Sequence, residues 1–502
     1  MLTILSLVYL YLPMIIFLSG WTKAAVCLMA LLSIGYAFTG VYGYARRKDM
    51  ERQLIKPDPF VTVFAMLLFL WVGYYAGWGR WVDQAPDWLK HNAVLCDLVY
   101  KSWPVYYHNG NERSMLVYYI AQYMVPAAVG KLFHSVRAAE IMMYIWNETG
   151  LFLAFIHMIN LIKARHHVMQ FITAVAAAFF SIPLWISEYV LRMVSDFNRV
   201  GEGFWFFWDV DILVQYSSNF TLLRWVVPQV IPCWIILALF LESRDAIEFH
   251  AMMVLPGLLF GSLSFLGIIP IVIAGDTETL CKGRDIKKAL RKIFSIENLL
   301  VMLTLGVIFG LYFYGNVFSA KPAPMSFSLI PYGPKIIVYF VFVFVNIFVY
   351  AVILWKDNRR DTVFLTTVVL LMLLPLFKMG VNNDLVMRMS IPGLFILMIL
   401  VLRFINSHLT ATDISTDNSL FMRISRLIVI IFFITGMFYP FRELSDVIKE
   451  SEKGVNGHGN EWTTLEVYAN RYLVENDDVK FNYYAYDAQS NLFCRYIARK
   501  KP

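Results

Sequence analysis

Charge is what this sequence has least of. Only 16% of its 502 residues are charged, against 59% that are hydrophobic, and the mean hydropathy is +0.59. A soluble domain carries about 25% charged residues, so a soluble, fibrous or disordered protein is excluded. Cysteine is scarce as well. Cys27, Cys96, Cys233, Cys281 and Cys494 form no CxxC pair and no zinc-ligand spacing. Cys27 and Cys233 lie in apolar runs, where cysteine behaves as a small hydrophobe. A Cys96–Cys494 disulfide stays open if both face an oxidising compartment. No HExxH, GxSxG, Walker or GxGxxG pattern occurs, so none of the chemistries those motifs carry is signalled. The N-terminal stretch MLTILSLVYLYLPMIIFL has no basic n-region and no small-residue cleavage site, and reads as a retained helix. Internal repeats and low-complexity segments are not evident.

Long apolar runs take the place of these features. They fall near 3–19, 24–44, 59–78, 114–133, 140–163, 168–187, 222–241, 251–274, 297–315, 334–355, 362–378, 389–404 and 426–440. Runs of this length fit a bilayer, and their continuous apolarity excludes a β-barrel, whose strands alternate. The expected fold is an all-α polytopic membrane protein of about 11–13 transmembrane helices. The net charge of +7 is no nucleic-acid signature, because the cations sit in short clusters between apolar runs. By the positive-inside rule, Arg46-Arg47-Lys48 with Arg52 and Lys56, the group from Lys282 to Lys292, and Lys356 with Arg359-Arg360 mark cytoplasmic loops. Residues 79–113, 316–333, 379–388 and the tail from 441 then fall outside.

The middle of the chain closes on this scheme only if two segments do not cross. Residues 114–133 are interrupted by Gln122, Pro126 and Gly130. Residues 251–274 carry Pro256, Gly261, Gly267 and Pro270, as a broken hairpin of half-helices does. Lys163-Ala164-Arg165-His166-His167 then stays cytoplasmic and 188–221 becomes an outer loop. The chain divides into two leading helices with a cytoplasmic loop (1–58), a module with outer loops 79–113 and 188–221 (59–275), further membrane helices (276–440), and a small outer α/β tail (441–502). His157, alone on an apolar helix, suits a satisfied core role. Asn147 and Asn219 match the N-x-[ST] pattern, but neither match is evidence of glycosylation.

Polar residues gather in three outer stretches. In 79–114, Pro86-Asp87 opens a helix on which Asp87, Lys90, His91 and Asn92 project near one another, with Asp83 and Asp97 close by and tryptophans and tyrosines around them. Asp87 either caps that helix or serves as a working carboxylate. In 201–229, Asp209-Val-Asp211 has the D-x-D form that holds a metal in nucleotide-sugar enzymes, a pattern of little specificity. Gln215, Ser217, Ser218 and Asn219 add hydrogen-bonding groups suited to sugar hydroxyls or to helix caps. In 378–392, Asn382-Asn383-Asp384 precedes Arg388, whose partner is either Asp384 at i−4 or a phosphate.

The arrangement resembles the GT-C superfamily of membrane glycosyltransferases. The resemblance rests on the helix 59–78 followed by a long outer loop with Pro86-Asp87-Trp88 near its start. It rests also on Leu116-Val117-Tyr118-Tyr119 leading to Pro126 and then Gly130-Lys131-Leu132-Phe133, similar to a proline-containing segment ending in GKLF. It spans about 59–275 in pattern and the rest in topology only. The sequence departs from the family where Asp87 stands without an adjacent acid, and where two helices precede the family's first. Asp97 and Asp83 are therefore rival acids.

The resemblance implies transfer of a hexosyl or pentosyl group from a polyprenyl-phosphate-linked donor to a lipid, glycan or protein acceptor. Transfer would occur with inversion on the outer face of a bacterial inner membrane. Asp87 would be the general base, Arg388 the phosphate ligand, and Lys90, His91, Asn92, Asp97, Asn219, Asn383 and Asp384 substrate-binding groups, with Lys131 a further cation. No cofactor is firmly implied; a divalent metal at Asp209 and Asp211 is the one candidate. Two other classes fit a many-helix plan: a polysaccharide polymerase or O-antigen-ligase-like protein, and a lipid-linked-glycan transporter or flippase.

Overall fold

The structure is a computed structural model that describes residues 1–51, 54–109, 112–194, 207–209, 212–282, 286–319, 327–379, 383–408, 419–452, 464–465, 484–485, 488 and 491–500. Helices dominate it. Among the described residues, eight are long and apolar enough to cross a membrane, including Leu2–Trp21, Val136–Ile162 and Ile391–His408. The pair His167–Phe179 and Leu184–Val194, bent by 57°, passes the same test jointly. Four shorter apolar helices complete the bundle: Pro59–Tyr75, Val227–Glu242, Ile247–Phe260 and Thr362–Leu376. The chain is thus an all-α, multi-pass membrane protein with a few short antiparallel sheets.

Hydrogen bonds and ion pairs show which connections share an end. Lys48 Nζ lies 2.7 Å from Asp245, Arg244 grips both oxygens of Asp361 at 3.0 and 3.1 Å, and Lys292 meets Glu248 at 3.1 Å. At the same end the Asn160 side chain accepts from the Ile55 amide, Gln170 accepts from Asp58, and Arg403 donates to the Leu161 carbonyl. The three basic anchors and the 163–167 cluster therefore lie together, which is the grouping the charge rule requires.

The two interrupted segments make that grouping possible. Residues 112–116 form a strand, and Ala121–Leu132 is a helix of 12 residues with Pro126 inside it. At 1.5 Å per residue it reaches about 18 Å, short of the apolar thickness of a bilayer. The later segment rises through His250–Val254 and Gly257–Phe260, turns at Gly261, and descends through Ser262–Lys282. His250 Nδ1 ends 2.7 Å from Asp276, so both limbs return to one end. The break falls at Pro256–Gly261 only. Gly267 and Pro270 stay inside one continuous helix, long enough by itself to cross, because an apolar packed helix tolerates the single bond that proline removes.

At the opposite end, Tyr106–Asn109 pairs with Glu112–Leu116, and Met115↔Ala485 adds a strand from the tail. The tail also bridges to Thr22 through Ala498, and Arg499 donates its amide to the Trp21 carbonyl. All five cysteines are free, so the Cys96–Cys494 disulfide does not form; the Cys494 thiol instead lies 3.6 Å from the Met115 sulfur.

Gly267 sets how closely the descending limb meets Asp384–Met389, since an added Cβ would sit 2.4 Å from the Met389 carbonyl oxygen. Backbone cannot yield as a side chain can. Gly267→Val should cost about 1–3 kcal/mol and lower the thermal midpoint in detergent, whereas an unchanged midpoint would show that this contact is loose.

Candidate functional site

Three segments converge at the end away from the basic anchors. The first is the helix Trp88–Tyr100, which buries Trp88, His91, Val94, Leu95 and Leu98 at helical spacing. Its start is fixed by long-range bonds. Trp88 Nε1 donates to the Arg224 carbonyl at 2.8 Å, and Trp78 Nε1 donates to the Leu223 carbonyl at 2.9 Å. The second is Tyr118 to Tyr123, entering the helix Ala121–Leu132, and the third is the short helix Asp384–Met389.

Asp87 occupies the N-cap position of the first helix, but its side chain makes no cap hydrogen bond. It pairs instead with Lys90 Nζ at 2.9 Å and keeps 31% of its side chain exposed. Burial pushes its carboxyl upward, but the cations Lys90 and Arg388 outweigh this and hold it below the usual range. Asp87 is thus an ionised carboxylate with an open side.

His91 is buried and its Nδ1 bonds to the Tyr123 hydroxyl. Its Nε2 faces the Trp225 backbone short of hydrogen-bond geometry and has no partner among the described residues. Burial, with Lys90 adding to it, drives the imidazole down to about 3, so it is neutral at physiological pH.

Arg388 is 11% exposed at its side chain and bonds Asp384 at 3.2 Å. Burial disfavours its charge, but Asp384, then Tyr119, Tyr118 and Asp87, more than compensate and keep it firmly protonated. Its Nε has no partner among the described residues. Asp87 and Arg388, 301 positions apart in the chain, therefore feel each other directly.

The other candidates are bound into the scaffold. Asn92 donates to the Gln84 side chain at 2.7 Å, and Gln84 in turn donates to the Gly77 carbonyl. Asp97 is buried, accepts from Tyr107 at 2.7 Å and from the Leu465 amide at 3.1 Å, and lies 3.4 Å from Lys101. Burial pushes its carboxyl upward against Lys101 and Tyr107. Asn219 donates to the Ala176 and Ala177 carbonyls, and Asn383, in a left-handed conformation, donates to Leu213 and Phe377. Lys131 caps the Val99 and Lys101 carbonyls, and burial lowers its pKa. Asp384 serves Arg388. Asn147 and Asn219 are both buried, which hides both N-x-[ST] matches.

Asp211 lies outside the described residues, and Asp209 ends the strand Phe207–Asp209. Among the described residues, no group of three or more His, Cys, Asp or Glu gathers as metal ligands would.

Several polar residues that the sequence did not mark as site residues belong to this end. Tyr118 and Tyr119 bond through their hydroxyls, and Gln122 bonds to Asn147. Glu443 is buried and accepts from Thr221 at 2.6 Å, Trp225 at 3.1 Å and Arg224 at 3.4 Å. The Tyr-Tyr-x-x-Gln-Tyr run was a visible signal for the first group; nothing local pointed to Glu443. At the opposite end, Ser6, His157 and Glu242 are linked at 2.8 and 3.0 Å in the order nucleophile, base and acid. Ser6 and His157 are wholly buried among membrane helices, so this is a satisfied core histidine and offers no access to a substrate.

Comparison with protein-family models, curated proteins and solved structures finds no match to this chain.

His91 gives the site a pH signature. Its folded pKa lies far below its unfolded value of about 6.5, so the unfolded state binds more protons between these limits. Stability should fall as pH drops from 7 to 5. His91→Asn retains an acceptor for Tyr123 and should flatten that part of the thermal-midpoint profile; an identical slope would assign the acid sensitivity elsewhere.

Proposed function

We propose that this protein is a membrane glycosyltransferase of GT-C type that moves a sugar from a polyprenyl-phosphate-linked donor to an acceptor at the outer face of the membrane. One observation carries the reading: an ionised, part-exposed carboxylate, Asp87, stands within electrostatic reach of a nearly buried arginine, Arg388, whose Nε has no partner among the described residues. The end they occupy is opposite the basic loops, which the positive-inside rule assigns to the cytoplasm. The assignment of this end to the outer side rests on that rule.

The chemistry follows from the two charges. The donor's lipid remains in the bilayer and its phosphate meets Arg388, which offers Nε beyond the bond to Asp384. Asp87 accepts the proton of an acceptor hydroxyl as that oxygen attacks the anomeric carbon. The bond from that carbon to the phosphate oxygen breaks, the configuration inverts, and polyprenyl phosphate leaves with its charge offset by Arg388. His91, neutral and buried beside Tyr123 and the Trp225 backbone, is suited to positioning the site more than to touching the sugar. The scaffold bonds of Asn92, Asp97, Asn219 and Asn383 suit them to holding this geometry more than to touching substrate.

Membranes containing the protein, supplied with a panel of polyprenyl-phosphate-linked sugars, should show transfer to endogenous acceptor. Asp87→Asn at wild-type abundance should reduce it by about 100- to 10,000-fold. Arg388→Lys keeps the charge but loses the planar fork, and should raise the donor KM more than it lowers kcat. Full activity in Asp87→Asn would remove the carboxylate from the mechanism.

A further inference from the structure

A second feature lies on the lipid-facing side of two helices late in the chain. The helix Leu420–Gly436 is followed at once by Phe438–Glu452, which runs beside the end of the bundle that carries Asp87. Between these helices and Leu184–Val194 is a groove of about 750 Å³. Its walls are apolar, chiefly Trp185, Phe433, Ile434, Phe438 and Phe441, and among the described residues that line it Arg442 carries the charge. Ile434, Phe438 and Phe441 are exposed at 64%, 49% and 45%, which in a membrane helix means exposed to lipid.

We propose that this groove is a binding site for one anionic phospholipid of the surrounding bilayer. Its acyl chains pack against the aromatic walls and its phosphate meets Arg442. Apolar volume open to a bilayer fills with lipid chain, and a guanidinium at the rim selects a negative head group. The occupant is distinct from the sugar donor because the helix itself separates the two. Phe438, Phe441 and Arg442 face the groove, while Tyr439, Glu443, Leu444 and Val447 are buried on the other side. On that buried face, Glu443 holds Arg224 and Trp225 beside Trp88 and His91. The lipid therefore braces the outer wall of the site without entering it. This binding stands independently of the glycosyltransferase reading.

The full-length protein is reconstituted in nanodiscs of equal parts phosphatidylglycerol and phosphatidylcholine with a trace of polyprenyl phosphate, extracted in mild detergent, and weighed by native mass spectrometry. The wild type should retain one phosphatidylglycerol. Arg442→Gln, an exposed substitution, should lower that retention about fivefold and leave phosphatidylcholine unchanged. Ile434→Trp, which fills the groove from a lipid-exposed position, should displace it altogether. Equal retention of the two phospholipids, an Arg442→Gln profile like the wild type, or polyprenyl phosphate in place of phosphatidylglycerol would each overturn the assignment.

Discussion

An arginine kept charged at the edge of a membrane protein constrains everything around it. Removing a guanidinium from water costs several kcal/mol, and a position like that of Arg388 is tenable only with a paired carboxylate nearby. Asp384, one turn earlier on the same helix, supplies that partner, and Asn383 starts that short helix in a left-handed turn fixed to Leu213 and Phe377. The Nε of Arg388 has no partner in this arrangement among the described residues.

The second half of the site depends on that first half. Asp87 would rise toward protonation in its surroundings if Lys90 and Arg388 did not oppose it. Its helix is tied by Trp88 to the Arg224 carbonyl, and Arg224 and Trp225 are tied by Glu443 to the helix Phe438–Glu452. The hairpin that turns at Gly261 completes the support, since Gly267 lets its descending limb lie against the backbone of the arginine helix. Fold and chemistry meet in this chain of contacts: each link is polar or closely packed, and each ends near one of the two opposed charges.

Much of this was legible in the sequence because it is local. The Asp87–Lys90 and Asp384–Arg388 pairs are three and four residues apart on helices, so spacing alone put them in contact. The grouping of basic loops at one end also followed from charge, and it implied that 114–133 and 251–274 do not simply cross. What stayed hidden is non-local. Asp97 reads like a surface acid until Leu465, 368 positions away, donates its amide to it. Asn219 and Asn383 look like sugar ligands because sequence cannot show the carbonyls they bond. Glu443 meets Thr221 across 222 positions, and no periodicity forecasts such a pair. Pro270 was misleading for another reason: proline breaks an exposed helix far more readily than one packed in an apolar bundle.

Glycosyl transfer by Asp87 and Arg388 requires that two separated segments share one chamber that opens to the outer side. In a cysteine-free background, single cysteines replacing Trp81, Asp384 and Lys48 in turn can be treated in intact cells with a membrane-impermeant thiol reagent. Labelling of the first two positions without permeabilisation, and of the third only after it, is the result that convergence at the outer face predicts. If the replacements of Trp81 and Asp384 label from opposite sides, or both only after permeabilisation, no such chamber exists.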